Sequence, residues 1–140
     1  MEDDFFKKFM DRPMYYGRKG EPLSLEQFVQ YAEDMDYRRV GYDEIPATHR
    51  SPTSYLSTVW LGLDHSFFLR GPPVIFETMR FEQKLTPSKN PLLFPAHHES
   101  IEFPHPDDGE YTDQVRYCTE EQASIGHKTI MRMIQEMEMT

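Results

Sequence analysis

The chain has 140 residues, with 24 acidic against 15 basic side chains and a net charge of −9. That length supports one domain with its own core, and the single cysteine, Cys118, excludes an intrachain disulfide framework. The acidity argues against a bulk electrostatic grip on nucleic acid or on an anionic membrane, which needs clustered Lys and Arg.

An acidic surface either keeps a small protein soluble or docks on a basic, nucleic-acid-binding surface of a target. The apolar share is modest at 38 %, but 14 % of the residues are aromatic, and aromatic side chains bury a large area each. No apolar run nears the ~20 residues of a membrane span. The acidic start, MEDDFFKKFM, lacks the apolar segment of a secretory signal. The expectation is a protein of the cytoplasm that is not held in a membrane.

In chain order, residues 2–10 carry Phe5, Phe6, Phe9 and Met10 on one side of a short helix, one that frays unless it packs on something. Arg12-Pro13 ends it. Residues 14–17 read as a short strand and 18–22 as a turn. Ser24 to Gln27, S-L-E-Q, is a capping box, followed by Leu25, Phe28, Val29 and Ala32 as one helical stripe.

Residues 37–45 alternate as a half-exposed strand, with Val40 and Tyr42 on the apolar side. The densest apolar stretch, 55–81, reads as two strands, 55–63 and 74–81, joined by an eight-residue loop at 66–73. On the second strand Ile75, Glu77, Met79 and Phe81 share one face, and Val74, Phe76, Thr78 and Arg80 the other.

Residues 83–112 are rich in proline and histidine, and a structureless loop of that length is unusual inside a compact domain. They read as a flexible excursion, a functional loop, or a pair of short edge strands interrupted by proline. Residues 116–118 suggest a last strand. Thr119 to Gln122, T-E-E-Q, is a second capping box, and Ala123, His127, Ile130, Ile134 and Met137 then mark an amphipathic helix of roughly five turns. The pattern predicts an α+β fold: an antiparallel sheet of three to five strands with a central hairpin, packed against two amphipathic helices.

Two constellations carry chemistry. Asp64 and His65 end one strand, Glu77 lies on the next, and His127 sits on the apolar stripe of the last helix. Cross-strand neighbours lie about 5 Å apart, so Glu77 is expected near Gly62 or Asp64, with His127 facing the sheet. A histidine–carboxylate pair there suits general acid–base work. The plainer reading is favoured, because buried polar groups need partners in any case. In it Asp64 and His65 cap the loop, Glu77 bonds a neighbour, and His127 is a satisfied core histidine.

The second group is His97, His98 and His105 with Glu99, Asp107 and Asp108, candidate ligands for zinc or another transition ion. Their spacing matches no recognised metal motif, so no cofactor is expected. Cys118 abuts a helix start, which lowers a thiol's pKa, but no base accompanies it. Met131, Met133, Met137 and Met139 suit core and rim, or an adaptable partner surface. The pairs Arg38-Arg39, Lys7-Lys8 and Arg18-Lys19 make no contiguous basic patch.

The runs STVWLGLDHSF, GPPVIFETMRF and RYCTEEQASIGH, with the element from Gly20 to Phe28, resemble a family of small uncharacterised proteins of tailed bacteriophages and prophage regions. The resemblance spans most of the chain outside 1–12 and 83–112. It places Asp64, His65, Glu77, Thr78 and His127 inside the recurring motifs and leaves the loop histidines outside them. It implies no reaction, ligand or partner.

The leading expectation is therefore a phage-encoded accessory protein that binds a host or phage protein, such as an inhibitor of a host defence or nucleic-acid enzyme. The alternatives are a small hydrolase or nucleotide-handling enzyme built on the His/carboxylate residues, and a minor virion or assembly component.

Overall fold

The computed structural model describes residues 13–66, 71–82 and 100–138. The expected N-terminal helix, His97, His98, Glu99 and Met139 lie outside the described residues. The architecture is α+β, as the patterning predicts. Strands β1 (Tyr15–Tyr16) and β2 (Pro22–Leu23) form a small antiparallel pair. Helices α1 (Leu25–Ala32) and α2 (Met35–Arg38) lead into β3 (Arg39–Ile45), β4 (Ser54–Trp60) and β5 (Phe76–Phe81). A second small pair, β6 (Phe103–Pro104) with β7 (Tyr111–Thr112), precedes β8 (Val115–Tyr117) and the 19-residue helix α3 (Glu120–Glu138). The main sheet is four-stranded and antiparallel, in the order β3-β4-β5-β8, with β4 and β5 at its centre.

The central hairpin is shorter than the sequence suggests. β4 stops at Trp60, and the register pairs Trp60 with Phe76 and Thr58 with Thr78. The strand leaves the ladder at Gly62, whose φ of 77° an L side chain rarely adopts. Beyond it the chain turns toward β1, where Gly62 accepts from the Tyr16 NH and Leu63 bridges Tyr15. The connection to β5 therefore runs from 61 to 75.

Strand parity decides what is buried. Ser54, Leu56, Thr58 and Trp60 of β4 share an inward face with Phe76, Thr78 and Arg80 of β5, all of them buried. Helix α3 lies across this face and packs on β3, β4, β5, β6 and β8. It buries Ala123, Gly126, His127, Ile130 and Ile134. The last inward position differs from expectation: Met137 is exposed, and Glu138 turns in instead.

Helix α1 does not cover the sheet. It packs on β1, β2 and α2 and reaches the core through Phe28, whose ring lies 5.7 Å from that of Trp60. Its Ser24/Gln27 capping box forms with both bonds in place. Leu25, expected on its buried stripe, is 58 % exposed, because an eight-residue helix seats only Phe28 and Ala32. Trp60 closes this end of the core: its indole NH donates to the Tyr16 carbonyl at 2.7 Å, and Tyr37 meets its ring edge-on at 5.0 Å.

Part of the proline- and histidine-rich stretch is ordered secondary structure. After the bridge between Phe81 and Ser100, β6 and β7 form a hairpin anchored by Phe103 and Pro104, both buried.

Candidate functional site: a polar seam between helix and sheet

His127 is where the sequence places it, on the inner stripe of α3, and it is 4 % exposed. Its Nε2 lies 2.6 Å from Oδ2 of Asp43 on β3, and its Nδ1 lies 2.7 Å from the Thr58 hydroxyl on β4. From there a chain of hydroxyls crosses the sheet. Thr58 Oγ1 is 2.5 Å from Thr78 Oγ1, and Thr78 Oγ1 is 3.0 Å from the Tyr117 phenol on β8. Thr58 and Thr78 are fully buried, whereas the Asp43 side chain is 54 % exposed. One end of the chain thus meets water and the other is dry. Burial pushes the Tyr117 phenol above its ordinary pKa, against the opposing pull of its Thr78 hydrogen bond, and Asp107 adds a smaller upward push.

Two glycines allow α3 to come this close. A Cβ on Gly41, at the irregular start of β3, would lie 2.8 Å from the His127 ring. A Cβ on Gly126 would fall well inside van der Waals contact with the Tyr117 ring and hydroxyl. The Gly126-His127 pair therefore works as a unit: the glycine admits Tyr117 and the histidine reaches Thr58.

A second polar contact closes the far end of the helix. Arg80, fully buried on β5, donates from Nε to Ser54 Oγ at 2.8 Å and from Nη1 to Glu138 Oε1 at 3.0 Å. Ser51 also donates to Glu138 Oε1, at 2.8 Å. Nη2 and Glu138 Oε2 lie 2.9 Å apart but out of line for a hydrogen bond, so that arm of the pair is electrostatic only. Arg50 donates to the Met137 carbonyl at 3.2 Å, which places a cation at the negative end of the helix dipole.

The remaining candidates do not join His127. Glu77 pairs with Val59, not with Gly62 or Asp64, and points away from α3. It accepts from Arg116 Nε at 2.9 Å across the β5–β8 ladder. Asp64 Oδ1 accepts from the Ser66 and Val74 amides, both at 2.9 Å, and so closes the β4–β5 connection. His65 Nδ1 lies 2.7 Å from the Leu63 carbonyl. In the structure these side chains hold a loop and a strand pair. The threonine in the Asp43–His127–Thr58 array is buried at 0 % exposure, so no substrate reaches its hydroxyl in this arrangement.

Among the described residues no group of three or more His, Cys, Asp and Glu side chains could hold a metal. His105 is occupied locally, its Nδ1 accepting from the Asp107 amide at 3.1 Å. Cys118 also departs from expectation. Although it precedes α3, burial and then the Asp64 carboxylate push its thiol up, not down. It borders a hollow of about 250 Å³ lined by Arg18, Lys19, Gly20, Thr119 and Glu120, and there Arg18 is already engaged by Glu120.

Asp43, Thr58, Tyr117, Arg80 and Glu138 were not among the sequence candidates. One signal for the last two was readable: Arg80 shares strand parity with Phe76 and Thr78, and Glu138 follows Ile134 by four. Opposite charges thus stand at two inward positions.

The fold and this seam define a small α+β protein in which the buried His127, Arg80 and Glu138 fasten its long helix to the sheet. No family model, curated protein or solved structure matches the chain. No helix among the described residues is long and apolar enough to cross a membrane.

Proposed function

We propose that this chain acts by binding another protein, as a phage-encoded accessory protein that engages a basic, nucleic-acid-binding surface of a host or phage target. The observation that supports this reading is the β6–β7 hairpin. Residues 100–114 hold five carboxylates, Glu102, Asp107, Asp108, Glu110 and Asp113, and no Lys or Arg. All five residues are exposed, and Tyr111 stands among them at 52 % exposure.

The hairpin is also set in place. Phe103 and Pro104 root it under α3, and backbone bonds join His105 to Glu110 and Gly109 to His105. A fixed aromatic ringed by carboxylates suits a basic protein surface, since aromatics anchor interfaces and opposite charge steers the encounter. A hydrolytic role for Asp64, His65, Glu77 and His127 has less support, because these side chains do not share a cleft.

The test is capture of a partner from host lysate, followed by titration of the purified partner. The probes are the wild type and a variant carrying Asp107→Asn, Asp108→Asn, Glu110→Gln and Tyr111→Ala. The expected result is saturable binding that weakens with salt and falls about tenfold or more in the variant. Binding that the variant leaves unchanged would overturn the assignment to this hairpin, and finding no saturable partner would count against binding itself.

A further inference from the structure

The face of the main sheet turned away from α3 is apolar and shielded. Strand parity puts Tyr42 of β3, Tyr55 and Val59 of β4, and Met79 and Phe81 of β5 on that face. None of the five is exposed, and Phe81 is at 4 %. None belongs to the core cluster beneath α3, nor to the half-buried residues packed against that cluster. An antiparallel sheet covered on one side commonly carries polar side chains on the other. Here the second face instead holds a stack of Tyr42 on Tyr55 at 5.9 Å, with Arg39 over Tyr42 at 4.3 Å.

Among the described residues no helix or strand lies over this face. α3 takes the opposite one, α1 packs on β1, β2 and α2, and β7 packs on β6. α2 meets β3 and β4 at the end where β3 begins. Cross-strand neighbours reach only the sides of the Phe81 ring, so its burial requires a cover from above.

We propose that the cover is the chain's own N-terminus: the apolar side of residues 2–10, with Phe5, Phe6, Phe9 and Met10, seats on this face. The sequence pattern predicts a helix there, and one so short holds only against a surface. The point of attachment is suitable. The described chain opens at Pro13, the Met14 carbonyl accepts from the Asp64 NH at 3.0 Å, and Tyr15 bridges Leu63. The segment therefore enters just past the Val59 end of the face. Nine helical residues span about 13 Å, and the four steps along β4 from Val59 to Tyr55 cover about the same distance.

Charge favours the same occupant. Glu44 borders the face, 3.4 Å from the Tyr55 hydroxyl, and the segment carries Lys7 and Lys8. A second copy would bring another −9 against the first. The contact is independent of the partner proposed for the β6–β7 hairpin, which is rooted on the other side of the sheet.

The test uses the full chain with labelled methyl groups. The Val59 and Met79 methyls should show nuclear Overhauser contacts to the ring protons of Phe5, Phe6 or Phe9 within one molecule. Contacts only to residues 83–99, contacts that arise between differently labelled copies, or methyls broadened by a soluble paramagnetic probe would each overturn the proposal. In a variant carrying Phe5→Ser and Phe9→Ser, the Val59 and Met79 signals should shift and become open to that probe, while the Ile130 methyls under α3 keep their positions. Val59 and Met79 signals that stay unchanged would overturn it. If Ile130 moves as well, the variant has lost its fold, and the contacts in the wild type decide.

Discussion

Replacing Glu138 by Gln tests the closure at the end of α3. The guanidinium of Arg80 has no exposed surface, and its partners are Ser54 and Glu138. Glutamine keeps the length and one acceptor but leaves a buried cation without its counter-charge. Breaking a buried pair from one side costs about 3–5 kcal/mol. With a urea dependence of about 2 kcal/mol per molar, the midpoint should fall by about 2 M. The readout is the emission of Trp60, the chain's only tryptophan and 1 % exposed. The paired variant Arg80→Met with Glu138→Leu should recover most of the loss, because apolar residues of similar volume often replace a buried ion pair without penalty. A Glu138→Gln midpoint within about 0.3 M of the wild type would refute the reasoning, as would a double variant no better than the single one.

Two other outcomes follow from contacts at the start of α3. Alkylation of Cys118 at neutral pH should be slower than that of a free thiol, and its rate should rise through a midpoint above the ordinary cysteine range. Asp64→Asn, which keeps the Oδ1 acceptor for the loop, should move that midpoint down; the folded state holds the thiol proton more tightly, so this group's contribution to stability is lost as pH rises. A thiol as reactive as a free cysteine would contradict the burial and Asp64 effects. Gly126→Ala should destabilise the protein by about 1–3 kcal/mol through overpacking, even though alanine gains about 1 kcal/mol over glycine within a helix. Tyr117 cannot step aside without leaving Thr78, so thermal denaturation should show a lower midpoint; a rise would mean that the ring yields freely.

The sheet was legible because its signal is parity, and parity survives small errors in the strand ends. The alternation of residues 74–81 placed Phe76, Thr78 and Arg80 together whatever the register. The register itself was not readable, since it turned on Gly62 leaving the strand to meet β1, a contact made more than forty residues away in the chain. That shift moved Glu77 from the neighbourhood of Asp64 to that of Val59. His127 was legible from its place on the apolar stripe of α3. Its partners were not: Asp43 lies 84 residues away and Thr58 lies 69 away, and neither carries a local motif. Met137 and Glu138 show the limit of helical periodicity, where one residue's rotation at the end of a stripe exchanged a thioether for a carboxylate that Arg80 and Ser51 hold inward.

The separation of the seam's partners bears on how the chain folds. α3 follows every strand of the sheet, and the side-chain contacts that seat it on the sheet and its loops join residues 58 to 87 positions apart. Contacts that close such long loops form slowly. During synthesis the four strands are complete before the helix emerges, and until it arrives Thr58, Thr78 and Arg80 stand on an uncovered face. Docking of α3 is then the step that commits the sheet. A nascent chain halted before α3 should show the strand pairing without the protection of its inner face.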